Sequence, residues 1–86
     1  MRVIRKYKLF FCKDIYMPAG AVILKLIQAG QFGQPISIYV EIDDEAPIIP
    51  RRFDIFSNNA VVPSDAKYVD TYSIAEHTWH VYEVSC

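Results

Sequence analysis

His77 and His80 are the only histidines in the 86-residue chain, and their spacing of three is the first arrangement that could do chemistry. On a helix that spacing puts both imidazoles on one face, whereas on a strand it sends them to opposite sides. The surrounding His77-Thr78-Trp79-His80-Val81-Tyr82 alternates like a strand, so the two rings are not expected to share an ion. A zinc site also needs three or four ligands, and no cysteine pair stands nearby. Asp43, Asp44 and Glu45 could in principle hold a hard cation, but they lack the alternating oxygen ligands, bend glycine and distal glutamate of a calcium loop. No metal and no cofactor is expected.

Nucleophilic chemistry fares no better. No serine sits between glycines at a strand-to-helix turn, and Cys12 lies among Phe10, Phe11 and Lys13 with no base adjacent in sequence. Gly30-Gln31-Phe32-Gly33 has neither the lysine nor the following helix of a phosphate-binding loop. The expectation is a non-enzymatic protein with no catalytic residues.

What remains is recognition. Tyrosine, tryptophan and arginine are the usual anchors of interfaces. Tyr39, Tyr72, Trp79, Arg51 and Arg52 are therefore candidate partner-contacting residues, each aromatic having core packing as its alternative. Glu41, Asp43 and Asp44 join them, as do Asn58 and Asn59 in a turn. Arg51 and Arg52 could instead close the acidic loop through exposed ion pairs.

These residues must be positioned by short strands. Val3 to Phe11 alternates, with Val3, Tyr7, Leu9 and Phe11 on one face, Lys6 and Lys8 on the other, and Arg5 as the misfit. Asp14 and Pro18-Ala19-Gly20 read as turn chemistry. Ala21 to Gln28 could make two helical turns, but β-branched residues and flanking glycines favour a central strand buried on both faces. Gln31 to Pro35 reads as a connecting turn. Ile36 to Ile42 is the clearest strand, with four isoleucine and valine side chains on one face and Ser37, Tyr39 and Glu41 on the other.

Asp43 to Pro50 reads as a loop anchored inward by Ile48 and Ile49, Arg52 to Phe56 as a short strand, and Asn59 to Ala66 as a second loop. Lys67 to Ile74 and Thr78 to Val84 form a hairpin about Ala75-Glu76-His77. The fold expected is a single all-β domain over residues 1–86: about six short antiparallel strands in a small sandwich or partly open barrel.

Composition adds a need for cover. A chain this short buries only roughly 60–65% of its unfolded surface, yet 52% of its residues are apolar and 14% aromatic. A homo-oligomer or another protein is expected to cover the surplus. The net charge of −1 gives no global attraction to polyanions, although Arg2, Arg5, Lys6, Lys8 and Lys13 crowd the first strand. Nucleic acid is thus not the expected partner, and single-strand binding through that basic strand with Tyr7, Phe10 and Phe11 stays an alternative. So does an aromatic-lined pocket for a small ligand or nucleotide. Ala19 to Ile27 is too short to span a bilayer, and no signal sequence is seen, so no membrane is expected and the thiols read as reduced in a cytoplasm.

Ile4 to Leu9, Met17-Pro-Ala-Gly-Ala-Val-Ile-Leu24 and Trp79-His80-Val81-Tyr82-Glu83 together resemble a family of small phage and prophage proteins of unknown function. There a tyrosine-containing first strand precedes a Met-Pro-X-Gly-Ala turn, and an Arg-X-Phe strand and a Trp-His-Val-aromatic-Glu strand follow. Arg51-Arg52-Phe53 and Tyr82 match that sense. Ser57-Asn58-Asn59 departs from the glycine-rich turn of many members, so a function tied to that turn does not transfer. The resemblance implies only a phage or prophage origin and hence action inside an infected bacterium. With the apolar surplus and the lack of a catalytic grouping, this leads to the expectation of a host or phage protein as partner, such as a bacterial defence factor, in the host cytoplasm.

Overall fold

Ile36, Ile38, Val40 and Ile42 alternate with Ser37, Tyr39 and Glu41, and this period of two fixes the centre of the molecule. In the computed structural model, which describes residues 1–27, 36–74 and 76–85, all four apolar side chains are buried. Each is worth about 1.5–3 kcal/mol in surface removed from water. They belong to β4 (Ile36–Asp43), the middle strand of a three-stranded sheet. Its neighbours are β1 (Arg2–Leu9) and β3 (Val22–Ile27), both antiparallel to it.

The second sheet has four strands in the order β2 (Asp14–Pro18), β5 (Ile48–Ser57), β7 (His77–Val84) and β6 (Lys67–Ile74), every pair antiparallel. The two sheets share one core. Leu9, Leu26, Ile38 and Val40 from the first meet Ile15, Met17, Phe53, Tyr72 and Val81 from the second. The result is an open all-β sandwich, not closed into a barrel, and its 18 Å short dimension is that of two packed layers.

The crossing from β1 to β2 is made by a tight backbone device. Cys12 takes a positive φ of 61°, its N–H donates to the Phe53 carbonyl at 3.0 Å, and Phe11 bridges Phe53 in parallel. Gly20, at φ 79°, supplies the left-handed residue that returns the chain to β3.

Four expectations change. There are seven strands among the described residues, because Asp14 to Pro18 is a strand and not part of a turn. Ile15 and Met17 alternate inward there, and Pro18 is tolerated as the last residue of an edge strand. Residues 22–27 are a strand, but an edge strand with Val22 and Leu24 exposed, and not a central one buried on both faces. A bulge between Ile23 and Lys25 turns both Ile23 and Leu26 toward the core.

The acidic loop ends at Ile48, where β5 begins, and Ile48 and Ile49 are exposed instead of anchored inward. Pro50 fits inside β5 because the ladder to β7 starts only at Arg52, leaving β5 paired with β2 alone at that point. Arg51 and Arg52 do not close the acidic loop. Arg51 binds Glu83, Arg52 binds Asp14, and Asp43 and Asp44 hold the Met1 amine at 3.3 and 3.2 Å. The β6–β7 hairpin forms as expected, with Glu76 at φ 71°. The turn expected at residues 31–35 lies outside the described residues.

Candidate functional site

The even-numbered residues of β7 (Thr78, His80 and Tyr82) point to the outer face of the four-stranded sheet, because Val81 on the opposite parity is fully buried. Phe56 is paired with His80 across β5–β7, and Thr71 with His80 across β6–β7, so the register gathers these side chains on that same face. Tyr68 is paired with Tyr82. The rings meet edge to face: Phe56 and Tyr82 at 5.6 Å between centroids, Tyr68 and Tyr82 at 5.5 Å. That is the geometry aromatic quadrupoles favour.

A chain of hydrogen bonds runs beside the rings. Asn58 Oδ1 lies 2.7 Å from His80 Nε2, Thr71 Oγ1 3.0 Å from His80 Nδ1, and Tyr68 Oη 2.6 Å from Thr71 Oγ1. An amide oxygen only accepts, so His80 carries its proton on Nε2 in the neutral ring and its Nδ1 accepts from Thr71. The Tyr68 hydroxyl then donates to Thr71 Oγ1.

The turn after β5 walls this face. Ser57, Asn58, Asn59, Ala60 and Val62 close a groove of about 500 Å³ over Phe56, His80 and Tyr82. Asn59 is held at φ 69°, which asparagine accepts more readily than most side chains, and Ala60 N–H donates to the Ser57 carbonyl at 3.2 Å. The groove offers ring faces for stacking and amide groups for hydrogen bonding.

Of the residues singled out by sequence, Asn58 and Asn59 lie in this groove together. Tyr39 and Glu41 lie on the outer face of the other sheet, Tyr39 exposed and Glu41 bound to Arg2 at 3.1 Å. Asp43 and Asp44 sit at the end of that sheet. Asp43 also accepts from the Glu45 N–H at 3.0 Å, and this bond, with the amine beside it, lowers its carboxyl below the usual range.

Tyr72 corrects the list: it takes the core alternative, only 8% exposed, because β6 turns it inward opposite Trp79. Burial raises its phenol above the usual range. Trp79 is half-buried and packs against the same core. Arg51 also points inward, donating to Glu83 and, at 2.7 Å, to the Ala21 carbonyl. Arg52 is on the outer face, 3.0 Å from Asp14.

The sequence reading missed Phe56, Tyr68, Thr71 and Tyr82 and left His80 without a role. The signal for Tyr82 and His80 was their shared parity on the last strand, while Asn58, 22 residues away, joins them only through the fold.

No helix among the described residues is long and apolar enough to cross a membrane. Comparison with curated proteins and with solved structures finds no match. Over residues 1–86 the chain matches the family described as Domain of unknown function (DUF7352), and it belongs to that family.

Proposed function

We propose that this protein is a non-enzymatic interaction module that docks another protein on the outer face of its four-stranded sheet, with the Asn58–His80 groove as anchor. One observation carries this reading. Three aromatic rings, Phe56, Tyr82 and Tyr68, are turned outward from the core and meet edge to face, and Tyr68 is tied through Thr71 to the His80–Asn58 hydrogen bonds beside them. Rigid aromatic side chains beside amide donors make efficient contact surface at small entropic cost.

Tyr16 and Ile48, 62% and 61% exposed, extend the apolar area on this sheet toward its β2 edge. The partner class proposed is a host or phage protein in the bacterial cytoplasm, such as a defence factor, a reading that the resemblance to small phage and prophage proteins supports. A homo-oligomer is the form expected without that partner.

The test is affinity capture from lysate of a bacterial host with the wild-type chain, His80→Ala and Tyr82→Ala, each checked for native circular dichroism. A protein retained by wild type and lost by both variants supports the reading. Equal capture by all three, or none, refutes it.

The groove volume also falls in the range of small-molecule sites, and this favours a second reading, a planar small ligand such as a nucleoside held between Tyr82 and the asparagine turn. A rise in melting temperature with a nucleotide panel, abolished by Tyr82→Ala, would select it over the first.

A further inference from the structure

We infer that the outer face of the three-stranded sheet binds single-stranded nucleic acid, through Tyr39 as a stacking platform and Lys6, Lys8 and Lys25 as phosphate contacts. The inference does not depend on the groove of the other sheet. Tyr39, 41% exposed, stands on the central strand with Lys6 in register on one side and Lys25 on the other. Lys8 follows Lys6 by two residues, about 6.8 Å along the same face.

The sign of the face is not cancelled from within. Its carboxylate Glu41 is already held by Arg2, while Asp43, Asp44 and Glu45 share the one Met1 amine at the end of β4 away from Lys8, so the acidic surplus stays at that end. Lys6, Lys8 and Lys25 make no ion pair among the described residues. The bulge in β3 completes the arrangement: with Ile23 turned to the core, strict alternation would turn Lys25 inward as well, and the extra residue Leu24 turns it out.

The whole chain carries a net charge of −1, so this is a local cationic face on a mildly acidic body. Ammonium groups flanking one exposed ring fit a polyanion whose planar bases are unstacked and available, which a duplex does not offer.

Fluorescence anisotropy of labelled 12-nucleotide oligo-dT and oligo-U with the full chain, between 25 and 300 mM salt, tests this. Three phosphate contacts predict a log–log salt slope of about −2. Lys6→Glu and Lys25→Glu should each weaken binding about tenfold or more at low salt and flatten the slope. Tyr39→Ala should weaken it about fivefold or more with the slope unchanged, and Tyr39→Phe should restore it. Val61→Ser, at an exposed position outside both sites, should bind oligonucleotide as wild type does.

Absence of binding at 25 mM salt would overturn the inference, as would charge-reversal variants that bind normally. So would equal retention of a duplex, or of phosphatidylserine vesicles, with Tyr39→Ala silent. These positions are exposed, so unchanged circular dichroism and melting temperature keep each variant informative.

Discussion

The Arg51 guanidinium grips the Glu83 carboxylate through two bonds, Nε to Oε2 at 2.8 Å and Nη2 to Oε1 at 2.5 Å. The side chains are 15% and 25% exposed, between a surface pair and a buried one. Arg51 also reaches the Ala21 carbonyl, so it joins β5 and β7 to the chain entering β3. Glu83→Ala should cost about 1–3 kcal/mol, since it leaves a half-buried guanidinium without its carboxylate. Adding Arg51→Met should recover part of that loss, giving a coupling of about 1 kcal/mol in a double-mutant cycle by urea denaturation. Strict additivity would show the pair to be inert.

The groove network should matter less for stability. Its bonds to His80 are exposed or half-buried, so Asn58→Ala and His80→Ala should each change unfolding free energy by about 1 kcal/mol or less. A loss above about 2 kcal/mol in thermal or urea unfolding would mean that the chain from Asn58 to Tyr68 is structural first.

Stability should fall at both ends of the pH scale, for separate reasons. Asp43 has a lowered pKa in the folded state, so its contribution is present above its ordinary value near 3.8 and lost as pH falls through the folded value. Tyr72 has a raised pKa, so its contribution is complete below its ordinary value near 10.0 and lost as pH rises toward the folded value. Asp43→Asn should flatten the acid limb and Tyr72→Phe the alkaline limb, as read by melting temperature against pH. A Tyr72→Phe chain with the wild-type alkaline limb would remove the phenol from this account.

Gly20 isolates backbone strain from packing. A methyl group there would meet nothing within 4 Å, but its φ of 79° disfavours an L side chain. Gly20→Ala should cost about 1–2 kcal/mol and Gly20→Asn less, measured by chemical denaturation. Equal losses for both would point to something other than φ.

Strand β4 was legible because four inward residues keep strict parity, and the β6–β7 hairpin because its turn residues separate two alternating runs. Strand β2 was hidden by its length of five residues and by Asp14 and Pro18, which carry turn preferences that the β5 ladder overrides. The apolar run of β3 looked like a strand buried on both faces. Its parity changes at the bulge, where the core claims Ile23 and Leu26 and leaves Val22 and Leu24 in solvent. Arg51 and Arg52 take separate partners on opposite faces, a consequence of alternation in a strand that begins at Ile48, before the Arg52 start expected from sequence.

The candidate groove was half legible. Asn58 and Asn59 stood out as turn residues, and the tolerance of asparagine for positive φ is what Asn59 uses. Its ring floor depends on which strands are neighbours, and β5 pairs with β7 although β6 lies between them in sequence, an order that local sequence does not encode.

The bulge at Leu24 has a further consequence for the molecule in a crowded solution. β3 is a free edge bearing exposed Val22 and Leu24, the kind of strand that templates end-on growth of one sheet onto another. An extra residue breaks the even spacing of N–H and C=O groups along that edge, so an incoming straight strand finds no continuous ladder to extend. The irregularity that directs two side chains to the core also interrupts the ladder that a second copy of the protein would need to extend this edge.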